Sequence, residues 1–305
     1  MGINDDIEIL LEEFPAAQTT IQTGSNGFID VTESLSDLIE DSIKEVLKTD
    51  EVPEYAEFEE EQYTPVNVDT LFEVDLSSSR FSGAMWYDEI QKHEIIIAGQ
   101  GGIGSWATAI LSRVKPKKMS IYDFDTIDET NLSGQFFNAS QVGQLKVDAL
   151  ADTVHTFSRY SSVVSIPKRW TEESVPGDIM ICGFDNMAAR KTYFNSWKEH
   201  ISKSAHPEKC LFIDGRLDMT NMQIFCITGD NKSAILKYES KYLFDDRFGE
   251  STTCSMKQTT YCASMIGSLI ANLFVNFIGT LVDPFSHTLP FKVFYDSQYM
   301  IFKIE

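Results

Sequence analysis

Four glycines fall within six residues of one another, at Gly99, Gly101, Gly102 and Gly104, and what flanks them leaves little choice of fold. Before them, Ile95–Ala98 is wholly apolar and too short for a helix, so it reads as a buried parallel strand. After them, Trp106, Ile110 and Leu111 recur at helical spacing. A strand, a glycine turn and a helix N-terminus in that order suit a nucleotide. Glycines let the backbone approach a phosphate, and the unpaired N–H groups and dipole of a helix start favour negative charge. A second strand, Met119–Tyr122, ends in Asp123, about where Rossmann-type folds place the acid that holds a ribose. The plainer alternative is a glycine turn that serves only close helix–sheet packing.

An NAD-binding Rossmann protein would satisfy these features, but the residues that follow point elsewhere. Asp123-Phe124-Asp125, Asn131-Leu132 with Gln135, and Gly143–Lys146 come in order. Cys182–Asn186 with Arg190 follows a further strand, and Ile266–Ala271 reads IGSLIA inside a late apolar helix. This series resembles the ThiF/MoeB family, which includes the core of ubiquitin-activating enzymes, over roughly residues 80–280. In that family a strand leads to GxGGxGS, then D-x-D, N-L-x-R-Q, G-x-x-K and D-N-x-x-x-R.

The resemblance implies an α/β fold, a Rossmann-like, mainly parallel sheet flanked by helices. It also implies an adenylyltransferase that uses ATP and Mg2+ to activate the C-terminal carboxylate of a small ubiquitin-like or sulfur-carrier protein or peptide, working as a homodimer. Roles carry over residue by residue. Gly99, Gly101, Gly102, Ile103 and Gly104 cradle phosphates, Asp123 holds the ribose, and Asn131 and Lys146 face the phosphates. Asp125, Gln135 and Arg190 complete the nucleotide-contacting set, and Asp185 is the Mg2+ ligand, a hard oxygen donor beyond a strand's end. Each has a bland counterpart. Asp125 and Asp128 suit a turn and a cap, Lys146 could be a surface lysine at a helix start, and Asp185 could N-cap the helix after it.

The match is incomplete in two places. Arg80-Phe81 fits the start of the family's R-Y-x-R-Q helix, but Gly83-Ala84 stands where the second arginine and the glutamine belong. Gly134 replaces the arginine of N-L-x-R-Q. Both arginines contact ATP phosphates in the family, and losing them removes bidentate, charge-assisted bonds. Arg80, Arg190 and Arg216 are the candidate substitutes. A catalytically degenerate member that binds nucleotide or partner therefore stands beside the enzyme reading.

The five cysteines, at 182, 210, 226, 254 and 262, include no C-x-x-C pair. That favours free thiols in a reducing, cytoplasmic setting, and argues against the structural zinc of several family members. Cys254 sits where ubiquitin-activating relatives carry a thioester-forming cysteine, so it is a candidate nucleophile, with an inert thiol as the alternative. Cys182 and Cys262 suit the core.

The formal charge is −21, and it is uneven. Residues 1–79 hold 21 acids and two lysines, leaving 25 acids and 23 bases beyond them. Residues 1–79 are thus an acidic N-terminal extension with one expected helix, Thr32–Asp50, and residues 80–305 are the nucleotide-binding domain. Such a chain offers no basic stripe for nucleic acid. Helices are expected at Val147–Phe157 and Ala188–His200, and strands at Val163–Pro167, Asp178–Gly183, Cys210–Asp214 and Met222–Thr228. Ser233–Gly249 reads as a polar loop, Gln258–Thr280 as a core helix rather than a membrane span, and Phe291–Phe302 as strand-like, adding an edge to the sheet.

Overall fold

The computed structural model describes residues 76–245, 258–283 and 289–305, which all belong to one compact unit, Glu73–Glu305. Residues 1–75 of the acidic extension, where a helix was expected at Thr32–Asp50, and Cys254 lie outside the described residues.

Eight strands form one sheet in the order β3-β2-β1-β4-β5-β6-β7-β8. They are β1 (Glu94–Ala98), β2 (Lys118–Tyr122), β3 (Val163–Ile166), β4 (Ile179–Cys182), β5 (Leu211–Leu217), β6 (Asn221–Thr228), β7 (Lys292–Asp296) and β8 (Ile301–Ile304). The first five in chain order pair in parallel, and β5 to β8 pair antiparallel. Helical crossovers join β1 to β2, β2 to β3 and β4 to β5, whereas short connections reverse the chain from β5 to β6 and from β7 to β8.

The helices are α1 (Met85–Ile90), α2 (Gly102–Val114), α3 (Lys146–Ser158), α4 (Met187–Lys203), α5 (Lys232–Tyr242) and α6 (Thr260–Val282). β4 is buried along its whole length because both sheet faces are covered there. One core joins Ile95, Ile97, Leu111, Leu150 and Ile181 to Phe274 and Phe277 of α6. The other joins Met180 and Phe212 to Tyr193, Phe194 and Trp197 of α4 and Tyr238 of α5. Alternation along β1 feeds both, Ile95 and Ile97 to the first and Ala98 to the second.

α6 is long and apolar enough to cross a membrane by length and composition, yet Cys262, Ile266, Ile270, Phe274 and Phe277 are buried in the body. It crosses α2 at close range. A Cβ on Gly267 would lie 2.7 Å from Trp106 Cβ and 2.9 Å from the Ala107 nitrogen. The core-helix expectation for this segment therefore matches its packing.

One expectation is corrected and a second is refined. Lys232–Tyr242, placed within a polar loop, is helix α5. Asn231 caps it by accepting from the Ala234 N–H at 3.0 Å, and Ala234, Ile235 and Tyr238 bury one narrow stripe. Phe291–Phe302 is two strands rather than one, reversed by a turn in which Met300 takes φ 52°.

Candidate functional site

The C-terminal ends of β1, β2, β4 and β5 open into one cavity of about 1350 Å3. Its wall carries five basic side chains, Lys146, Lys168, Arg169, Arg190 and Arg216, and three carboxylates, Asp123, Asp125 and Asp185. The sheet reverses its winding beside β1, where a parallel α/β sheet places its ligand.

The glycines divide into two jobs. Gly99 has φ +86°, and a Cβ there would lie 2.8 Å from the Gly183 carbonyl. A Cβ on Gly104 would overlap the Gly99 carbonyl oxygen. Gly99, Gly104 and Gly183 thus let β1, β4 and the start of α2 touch backbone to backbone, which is the packing role. Gly101 has open space where its Cβ would be, and Gly101, Gly102 and Ile103 line the cavity. The α2 N-terminus has no side-chain cap, so its first N–H groups face the cavity with the helix dipole behind them.

Asp123 is pinned in place by the backbone. Its Oδ2 accepts from the Gln100 N–H at 2.7 Å and its Oδ1 from the Asp125 N–H at 2.9 Å. Gln100 is itself buried, held by its Nε2 donating to Ile97 O and by Thr108 Oγ1 donating to its Oε1. Burial raises the Asp123 pKa above the ordinary value, against the opposing pull of the Asp125 N–H and Lys146.

Beyond β2 the chain is held by caps. Asp128 Oδ1 accepts from Thr130 N–H while Asn131 Oδ1 accepts from Asp128 N–H at 3.0 Å, a reciprocal capping box. Asp128 is therefore the cap acid expected of it. Lys146 opens α3 and is no surface lysine, since its side chain is only 8% exposed and Nζ donates to Asp125 Oδ2 at 3.3 Å. Gln135 Oε1 is buried with no partner, the one such side-chain atom among the described residues. A buried amide oxygen without a partner, in the cavity that the glycine turn also lines, fits a ligand that donates to it.

Asp185 does not cap α4. Asn186 does, its Oδ1 accepting from Ala189 N–H at 2.8 Å, and this leaves Asp185 exposed with one oxygen accepting from Asn186 Nδ2. Among the described residues no three His, Cys, Asp or Glu side chains gather to hold a metal. Asp185 can supply one protein ligand to a Mg2+ whose other ligands are phosphate and water, the way nucleotide sites hold that ion.

Arg190 is placed differently from a phosphate ligand. It is buried, its Nη1 donating to Asp214 and to Gly215 O, its Nη2 to Phe184 O. Arg216 also bonds Asp214, Nε to Oδ2 at 2.8 Å. Arg80 is exposed and does not line the cavity. Where the family pattern has an arginine, Gly134 lies beneath Gln258. A Cβ at 134 would come within 2.7–2.8 Å of the Gln258 side chain, and one at 102 would overlap its Oε1. Thr260 Oγ1, donating to Ser133 O, and Thr259 Oγ1, donating to Met219 O, fasten the chain directly after Gln258.

Sequence reasoning missed Gln258, and it missed Phe124, Lys168, Arg169 and Trp170, which line the Asp123 end. Arg169 stacks 3.6 Å over the Phe124 ring, and Trp170 packs edge-on against Tyr122 and Tyr193. The available signal was a basic pair and an aromatic directly after β3.

An open-ended parallel sheet with a glycine turn, an acid after the next strand and a cationic wall defines a nucleotide-binding α/β protein. Residues 75–304 match the model of the ThiF family, and the chain belongs to that family. It is 38% identical over 68 residues to Ubiquitin-like modifier-activating enzyme 5 of Oryza sativa subsp. japonica, a stretch that is 22% of this chain and 16% of that relative. Among solved structures, PaaA superposes with a TM-score of 0.58 at 14% identity, covering 99% of this chain and 86% of that one. E. coli MccB superposes at 0.57 in its MccA-N7isoASN complex (18% identity, 72% and 66% covered) and at 0.53 in its ATP complex (19%, 72% and 65%). At these identities the three structures speak for the fold.

Proposed function

We propose that this chain is an ATP- and Mg2+-dependent adenylyltransferase that activates the C-terminal carboxylate of a small protein or peptide. The observation that carries the reading is convergence. Asp123, the open face of the glycine turn, Asn131, Gln135, Lys146 and Asp185 come from five separate segments and face one cavity. Family membership supports it, as do the structures of one fold-mate, MccB, with ATP and with MccA-N7isoASN.

In this reading the acceptor's carboxylate oxygen joins the α-phosphorus as the bond to the bridging oxygen breaks and pyrophosphate leaves. Asp123 orients the ribose. The α2 N-terminus and Lys146 offset phosphate charge, and Asn131, fixed by its capping box, keeps its amide nitrogen for the same task. Asp185 supplies one Mg2+ ligand. Catalysis is then positioning and electrostatics in a preorganised wall. The working unit is a homodimer, and light scattering that shows a monomer at tens of micromolar, an order-of-magnitude choice of concentration, counts against that part.

Thermal-shift titration tests nucleotide choice. ATP with Mg2+ stabilises the chain and NAD does not, and stabilisation by NAD alone overturns the reading. A second reading, a family member that binds nucleotide without turning it over, draws on Gly83, on Gly134 and on Gln258 filling the place of a guanidinium. It predicts ATP binding with no pyrophosphate exchange for any acceptor.

A further inference from the structure

The β5 end of the cavity carries a charge that the nucleotide roles do not use. Asp214 is wholly buried and serves two guanidiniums, Arg190 at Oδ1 and Arg216 at Oδ2, with the Tyr238 hydroxyl donating to Oδ2 at 2.8 Å. Among the described residues no second carboxylate bonds either arginine. Among the described residues, two cations thus share one carboxylate in a largely buried wall, an arrangement that favours an incoming anion.

Arg190 faces inward, so the opening belongs to Arg216. Its Nη2 donates to Tyr242 O at 2.9 Å, its side chain is 15% exposed, and its Nη1 has no partner among the described residues. Alternation along β5 sets this direction. Gly215 faces α2 and α6, where a Cβ would meet Ile103 Cγ2 at 2.8 Å, and Asp214 and Arg216 face the other way.

Sheet order gives the subsite its role. Asp123 follows β2, the glycine turn follows β1, Asp185 follows β4 and Arg216 lies in β5, and these four strands are neighbours in that order. Arg216 is therefore about three strand spacings, ~14 Å, from the ribose acid. Asn131, Gln135 and Lys146 belong to the segment after β2, so Arg216 stands across the phosphate turn from them.

We propose that Arg216 is a carboxylate-binding subsite at the acceptor end, a guanidinium held ready by Asp214 and Tyr242 O to receive the C-terminal carboxylate of the peptide or small protein. This rests on the adenylation reading above. A planar fork suits a carboxylate, and its other groups are already ordered, so little is lost on binding.

The test uses the full chain with Mg2+ and the non-transferable nucleotide AMPCPP, titrated with N-acetyl-diglycine, with its C-terminal amide and with pyrophosphate. NMR of the arginine side-chain N–H groups reports binding at Arg216. The free acid shifts the Arg216 signal saturably and the amide does not. Arg216→Gln weakens the acid's binding about tenfold or more and leaves AMPCPP affinity within about twofold. Acid and amide acting alike, Arg216→Gln binding the acid as tightly as the unaltered chain, or pyrophosphate alone moving the signal would each overturn the subsite. Arg216→Lys keeps a cation for Asp214 and decides the matter if the glutamine variant does not fold. AMPCPP affinity is read in the same series. A chain that binds the acid through Arg216 but no nucleotide keeps the subsite and loses the adenylation reading.

Discussion

Positive charge is held in opposite ways at the two ends of the cavity. At the β5 end, Arg190 and Arg216 close on Asp214, and the carboxylate is fully buried. At the β2 end, Lys146 leans on Asp125, a carboxylate 49% exposed, across 3.3 Å, while Lys168 and Arg169 line the opening. The first arrangement is part of the wall, and only one edge of it faces a ligand. The second is loosely tied, and under the adenylation proposal this lets it follow phosphate charge as it develops. Substitutions at the two ends should therefore divide between stability and catalysis.

The largest effect is expected at the locked end. Asp214→Asn leaves two buried guanidiniums facing a neutral amide, and should cost about 3–5 kcal/mol of stability in urea denaturation. A loss under about 1 kcal/mol would mean that the pair is solvated like a surface bridge. Lys146→Ala should do the reverse. Its exposed partner makes the bond worth under ~1 kcal/mol to folding, yet the turnover step should lose about 2–4 kcal/mol of transition-state stabilisation. Equal damage to stability and rate would erase the contrast.

Gly134→Arg tests the middle of the cavity. Restoring the family's arginine puts a Cβ against Gln258, so the single variant should lose about 1–3 kcal/mol to overpacking. Adding Gln258→Gly should recover that loss and tighten ATP binding relative to Gly134→Arg alone. If the two variants bind ATP alike, Gln258 is not what fills the arginine's place.

The smallest effects are in pH, and the two aspartates should respond with opposite signs. Burial works to raise the Asp214 pKa, but Arg190 and Arg216 outweigh it and hold the carboxyl below 3.8. Its stabilising share is thus complete above 3.8 and lost as pH falls through the lower folded value. Burial raises Asp123 above 3.8, so its folded state favours the proton, and stability from it declines as pH rises through that range. Adenosine, with no phosphate to titrate, should bind more weakly as pH falls, beginning above 3.8, because the protonated acid is the poorer acceptor for ribose hydroxyls. Asp123→Asn should flatten that profile.

Most of the parallel half was legible because its signals are local. Ile95–Ala98, Met119–Tyr122 and the helix after Gly104 are fixed by period and by glycine position, and the structure adds only a residue or two at their ends. α5 was missed because its three buried apolar residues, set among lysines, serines and a glutamate, make a faint stripe, and the burial that stabilises it comes from Phe212 and Phe225 of the sheet. The β7–β8 turn has no glycine or proline to mark it, and Met300 takes the positive φ instead. In the cavity, motif residues were readable singly. What sequence could not give was that Arg190 and Arg216 share one buried carboxylate, or that Gln258 lies over Gly134, because those contacts join segments far apart in the chain.

Exchange of radiolabelled pyrophosphate into ATP, driven by a mixture of peptides with free C-terminal carboxylates, is the most direct test that this cavity adenylates. The unaltered chain should exchange only when free carboxylates are present. Asp185→Ala should abolish exchange while ATP binding weakens only modestly. Exchange that persists without Asp185 and Lys146 would contradict the site, and no exchange at all from a chain that binds ATP would leave a nucleotide-binding relative that has lost the reaction.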